Sequence, residues 1–133
     1  MKRAMIVTGS IALVVLALLV CLSLVLTAPK FKGNFSISDY QAEMDNPNFW
    51  SDVNYGTIKD FEIAARVGKQ VIANRFEDSM GGIFAWMGCA VQYDAENDVY
   101  FVRTYPLLPL IAGGAYDVIL QTDGTVLAVW GEK

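Results

Sequence analysis

The sequence predicts an α+β protein in which an N-terminal transmembrane helix precedes one long helix packed on about four antiparallel strands. Three observations support this fold class. Residues 4–28 form an uncharged apolar run, apolar residues recur at helical spacing over 57–76, and the period changes to two after Ala90. We therefore expect a membrane segment at 1–28, a partly docked linker at 29–56 and a water-facing domain at 57–133.

The apolar run at residues 4–28 is long enough to be a membrane anchor. About 25 residues without a charge, at roughly 1.5 Å each in a helix, cross a hydrocarbon core of about 30 Å. The run ends Leu26-Thr27-Ala28-Pro29, which is a poor cleavage site, so retention is favoured over a cleaved signal. Lipid attachment at Cys21 is the third alternative, although Val20 stands where a small residue is expected.

Charge sets the orientation and the class of partner. Lys2 and Arg3 precede the apolar run, and short positive N-termini usually stay inside, which predicts a single-pass protein with its domain outside the cytoplasm. All 14 Asp and Glu residues follow Lys32, and the chain carries a net charge of −4. This acidic domain disfavours a nucleic-acid or anionic-lipid surface and favours a basic protein partner through electrostatic steering.

The first element after the linker is a helix from Thr57 to about Phe76. Thr57 offers a capping side chain, and Asp60 adds an acidic residue to the first turn. Gly68 lies on the apolar stripe of this helix, so the helix is expected to approach the sheet closely. A loop at Ser79–Ala90 follows.

Period-two alternation then predicts strands at 90–93, 99–105, 115–122 and 125–130. Gly113 and Gly114 mark a turn before the last pair of strands. Asp123 and Gly124 join that pair, because this dipeptide readily takes the positive φ angles of a tight hairpin. We therefore assign structural roles to Gly68, Gly113, Gly114, Asp123 and Gly124.

The residue inventory predicts neither a metal site nor a cofactor. The chain has no histidine, which argues against zinc or haem sites and against histidine-dependent nucleophiles. Cys21 in the bilayer cannot reach Cys89 in the domain, so no internal disulfide is expected. Asp94, Glu96 and Asp98 lack the glycine and closing Glu of a calcium loop.

One carboxylate is a candidate for catalysis. Asp117 lies among apolar residues and, if buried beside Tyr100 or Tyr105, could act as a proton-transfer base. Strand alternation instead favours an ordinary outward position for Asp117, on the same face as Ile119 and Gln121. We therefore predict no catalytic residue.

Residues 57–133 carry five short motifs in a fixed order, Ala64-Ala65, Gly68-Lys69, Leu108-Pro109, Gly113-Gly114 and Asp123-Gly124. With these motifs the segment resembles the small bacterial immunity proteins that have a nuclear transport factor 2-like fold. The tail Trp130-Gly131-Glu132-Lys133 lacks the histidine of that pattern, and the segment from Ser79 to Met87 also departs from it.

The resemblance implies a protein that binds and neutralises a cognate toxin and has no catalysis of its own. Aromatic residues would anchor the partner and acidic residues would steer a basic toxin; the candidates are Trp86, Tyr105 and Trp130, and Asp94, Glu96 and Asp98. Two alternatives stay open, a membrane-tethered inhibitory or propeptide-like module and a small isomerase-type enzyme, since such scaffolds host both binding and catalysis.

Overall fold

The structure is a computed structural model that describes residues 2–45, 53–80, 87–107 and 114–132. Within these residues an apolar helix leads into a mixed sheet, with one long helix on one face. In chain order the elements are α1 (Lys2–Thr27), β1 (Pro29–Asn34), a 3-10 turn (Ile37–Tyr40), α2 (Gln41–Met44), α3 (Phe61–Met80), β2 (Met87–Asp94), β3 (Val99–Pro106), β4 (Tyr116–Gln121) and β5 (Val126–Gly131). The predicted α+β class is confirmed.

The sheet has five strands in the order β1-β2-β3-β4-β5, rather than the four predicted. The extra strand β1 comes from the expected linker and pairs in parallel with β2, whereas the other neighbouring pairs are antiparallel. Strand β1 was not predicted because it contains Pro29 and Gly33, residue types that are rare in strands. A proline is tolerated here because it is the first residue of an edge strand.

Helix α3 begins later and ends later than the sequence predicted. The capping residue is Asp60 rather than Thr57, because Asp60 Oδ1 accepts a hydrogen bond of 2.8 Å from the Ile63 N–H. The predicted end at Phe76 coincides with a non-helical backbone there (φ −120°, ψ 18°), beyond which the helix resumes to Met80. The loop predicted at Ser79–Ala90 therefore includes the end of α3 and the start of β2, and its residues 81–86 lie outside the described residues.

Small residues bring α3 close to the sheet. Helix α3 packs on one face of the sheet, the first face, which includes Val102 of β3. Ala64 and Ala65 are buried there, and Gly68 lies directly over Val102. A Cβ atom on Gly68 would lie 2.7 Å from the Val102 Cγ1. The close approach predicted for this helix stripe is present.

The second sheet face is also covered, by part of the segment 29–56 that the sequence predicts to be a partly docked linker. Its core residues are Val99, Phe101, Ile119 and Ala128. The segment between β1 and α3 packs over them through four side chains, namely Phe35, Ile37, Tyr40 and Met44. The predicted outward position of Asp117 is therefore wrong: its side chain is 0% exposed on this covered face.

The hairpin of β4 and β5 turns as predicted at Asp123 and Gly124. Gly124 has φ of +92°, and the Asp123 carboxylate accepts a hydrogen bond of 2.8 Å from the Thr125 N–H. A Cβ on Gly124 would lie 2.3 Å from the Gly56 carbonyl oxygen. Gly114 is likewise excluded from carrying a side chain, because its Cβ would lie 1.8 Å from the Glu132 carbonyl oxygen. Gly113 lies outside the described residues.

Candidate functional site

A partly buried ion pair lies on the second sheet face, where Arg103 of β3, with a side chain 36% exposed, stands directly opposite the fully buried Asp117 of β4. The guanidinium donates from Nε to Oδ1 and from Nη2 to Oδ2, both at 2.8 Å, so the pair is bidentate. Nη2 also donates to the exposed carboxylate of Glu132. The arrangement satisfies both oxygens of Asp117 within the protein.

The pair is unsuited to proton transfer at neutral pH. Burial raises the pKa of the Asp117 carboxyl, and the guanidinium opposes that rise. The hydrogen bonds to Asp117 raise the pKa of Arg103, which therefore stays protonated. The Asp117 carboxylate accepts two charge-assisted hydrogen bonds and its side chain is 0% exposed, so a substrate cannot reach it in this conformation.

Aromatic side chains pack beside this ion pair. Tyr40 stacks on Phe101 with ring centroids 4.9 Å apart, and its ring also lies 5.7 Å from that of Trp130. The Arg103 guanidinium lies over the Phe101 ring at 5.6 Å from its centroid. Trp130, predicted as a partner-binding anchor, is therefore half-buried in an intramolecular aromatic cluster.

An open groove of about 430 Å³ lies beside the cluster. Tyr105 lines it, which gives this predicted anchor an accessible position. The remaining lining residues combine aromatic, amide and cationic groups and are Lys32, Tyr40, Ala90, Gln92, Phe101 and Arg103. Tyr105 and Lys32 form part of its wall, and the groove is open to solvent.

The three predicted acidic residues lie together in the turn between β2 and β3, but they have different tasks. Asp94 is only 5% exposed, and its carboxylate accepts hydrogen bonds from the N–H groups of Ile37, Glu96 and Asn97. These bonds lower the pKa of Asp94. Asp94 therefore fixes the turn and the covering segment, while Glu96 is exposed to solvent.

Asp98 joins this turn to the hairpin turn of β4 and β5. Its carboxylate accepts from the Tyr93 hydroxyl and, at 3.2 Å, from the Thr122 hydroxyl, and its carbonyl accepts from the Thr122 N–H. The bond to Asp98 raises the pKa of Tyr93 to about 12. Asp98 itself has φ of 60°, a left-handed conformation that Asp tolerates.

These contacts create an acidic end of the domain, defined by Asp60, Glu96, Asp98 and Asp123, all exposed. The Ile58 N–H donates to the Thr122 carbonyl at 2.8 Å, which brings the start of α3 to the same place. Because β1 runs parallel to β2, α1 joins the opposite end of the sheet. The acidic end therefore points away from the attachment of the apolar helix.

Helix α1 is long and apolar enough to cross a membrane, a property that a membrane anchor and a signal sequence share.

The described residues contain no group of three or more His, Cys, Asp or Glu side chains arranged to hold a metal ion. Cys89 is fully buried, and burial raises its pKa to about 11. Trp86, another predicted anchor, lies outside the described residues.

Sequence reasoning missed Arg103 and Tyr40 as central groups. A signal was present, because Arg103 and Asp117 are opposite charges set among apolar residues of neighbouring predicted strands. Only the register of β3 against β4 brings Arg103 and Asp117 together.

Comparison with models of protein families, with curated proteins and with solved structures found no match to this chain.

Proposed function

We propose that this protein is a membrane-anchored immunity protein that binds and neutralises a cognate toxin. The proposal rests on the motifs shared with small bacterial immunity proteins and on a protein surface suited to binding. Retention of α1 as a single-pass anchor is part of it, with Lys2 and Arg3 inside and the domain outside the cytoplasm. The toxin would then be met in that compartment.

The observation that carries the proposal is the acidic end. Four exposed carboxylates, on Asp60, Glu96, Asp98 and Asp123, lie at this end, and Lys59 precedes Asp60 in the chain. Hydrogen bonds through Asp98 and Thr122 hold the two turns together, so binding a partner requires little ordering. A rigid, negative surface facing away from the membrane attachment favours a basic protein partner.

The ion pair supports binding over catalysis. Asp117 is the one carboxylate that the sequence offered as a proton-transfer base, and it is bidentate to Arg103 beside aromatic side chains. An isomerase-type mechanism that used Asp117 would need its carboxylate to reach a substrate and take up a proton. A neutralising partner needs no such group.

The deciding experiment titrates the full-length protein in detergent micelles against the activity of the toxin encoded beside it. We expect inhibition to be complete near one equivalent. Protection at far below one equivalent would show catalysis and overturn the proposal. A stoichiometric complex with a peptidase encoded by a neighbouring gene, in place of a toxin, would support the alternative of an inhibitory module.

The acidic end is tested by its effect on association. The double substitution Glu96→Gln and Asp98→Asn removes two charges, and Asn tolerates the positive φ at residue 98. We expect the association rate at low salt to fall roughly fivefold or more, with a weaker salt dependence. Asp45→Asn, a charge change at the exposed end of α2, is the control and should leave the rate unchanged.

A further inference from the structure

A second charged site lies where α1 meets the domain. The Lys69 Nζ donates a hydrogen bond of 3.2 Å to the Thr27 carbonyl oxygen, at the last residue of α1. Only Ala28 separates α1 from β1. The 26 residues of α1 span about 39 Å, against a hydrocarbon core of about 30 Å, so Thr27 reaches the headgroup region of a bilayer. Lys69 is therefore held at the level of lipid phosphates.

A cavity of about 450 Å³ opens at this place, between α3 and the start of β1. Arg66 and Lys69 line it three residues apart, on one face of the helix. Both ion pairs found in the described residues belong to Arg103, so neither Arg66 nor Lys69 has a carboxylate partner there. Glu62 is the acidic residue in the lining, one turn before Arg66.

The rest of the lining suits the upper part of a lipid. Pro29, Ala65 and Ala73 give the cavity an apolar wall without bulky side chains, and Gln70 adds an amide. A guanidinium binds two phosphate oxygens through parallel hydrogen bonds, and an ammonium adds a point charge beside them. One phosphate with its glycerol backbone matches this combination of groups.

We propose that the cavity binds the phosphate headgroup of an anionic phospholipid in the bilayer that α1 crosses. The proposal rests on the retention of α1 included in the proposed function. Such a lipid would fix the orientation of the domain on the membrane, with the acidic end directed outward.

The net negative charge of the domain, which led us to disfavour an anionic-lipid surface, does not oppose this site. Pro29 pairs with Cys89 at one end of β2, and Asp94 stands at the other end. At 3.3 Å per residue these positions are about 17 Å apart, whereas the Debye length in physiological salt is about 8 Å. The lipid phosphate is therefore screened from the acidic end.

Native mass spectrometry of the full-length protein released from micelles tests the site directly. The probes are dioleoylphosphatidylglycerol and, as the zwitterionic comparison, dioleoylphosphatidylcholine. We expect one phosphatidylglycerol to bind in preference, with about a fivefold loss of affinity for each of Arg66→Gln and Lys69→Gln. Lys69→Arg should retain binding, and Lys59→Gln, the same charge change at the acidic end, should leave it unchanged.

Three results would overturn the site: equal binding of the two lipids, an equal loss with Lys59→Gln, or full competition by millimolar inorganic phosphate, which would indicate a free-anion site. The intact mass in the same spectra reports separately on α1. A form beginning near Pro29 would contradict the anchor, whereas an intact chain without lipid preference would contradict the lipid site alone. An acyl group on Cys21 would also contradict the proposed transmembrane anchor.

Discussion

Replacing Gly68 with Ala tests how closely α3 lies on the sheet. The new Cβ would lie 2.7, 2.8 and 3.0 Å from the Cγ1, Cβ and Cγ2 atoms of Val102. Val102 is fully buried and β-branched, so its side chain has little freedom to turn away. Ala gains about 1 kcal/mol over Gly in an open helix, while overpacking a core costs about 1–3 kcal/mol. We expect a net destabilisation of up to about 2 kcal/mol, and a larger one for Gly68→Leu.

The assay is thermal unfolding of the full-length protein in micelles, followed by near-ultraviolet circular dichroism. A loss of 1 kcal/mol corresponds to a Tm about 4–8 °C lower for a domain of this size. In a Val102→Ala background the cost of Gly68→Ala should be smaller, because Cγ1 and Cγ2 of residue 102 are gone while its Cβ, 2.8 Å from the new atom, remains. Glu62→Ala, on the exposed side of α3, is the control and should shift the free energy of unfolding by less than about 0.5 kcal/mol. An increase in Tm from Gly68→Ala in both backgrounds would refute the close approach.

Three further predictions follow from the described contacts. Arg103→Met should lower the free energy of unfolding in urea by about 1–3 kcal/mol, because it leaves the buried Asp117 carboxylate without its partly exposed partner, and adding Asp117→Leu should recover most of that loss. The pKa of Asp94 is lower in the folded than in the unfolded protein, where it is about 4. The Asp94 carboxylate therefore stabilises the fold above about pH 4, and this stabilisation is lost as the pH falls through the folded pKa. Asp94→Asn should make the free energy of unfolding less dependent on pH in that range. Cys89 should react with a thiol reagent only as fast as the domain opens, and labelling of the native protein at the rate of a free thiol would contradict its burial.

The sequence determined the elements whose signals are local. The hairpin follows from Asp123 and Gly124, because few residue pairs adopt its positive φ angles so readily. The helix stripe with Gly68 follows from spacing alone, and the apolar α1 follows from its composition. In each case the deciding interactions lie within a few residues along the chain.

Tertiary structure decided everything that depends on pairing between distant segments. Strand β1 carries Pro29 and Gly33 and has little strand propensity of its own, so it exists only because β2 offers an edge to pair with. Asp117 is buried, rather than exposed as predicted, because a distant segment packs on its face of the sheet. Alternation places it on one face with Ile119, but whether that face meets water depends on Tyr40 and its neighbours packing over it, some 77 residues earlier in the chain. The candidate binding surfaces also depend on tertiary structure. The two turns of the acidic end meet, and Lys69 contacts Thr27, only when the whole sheet is assembled.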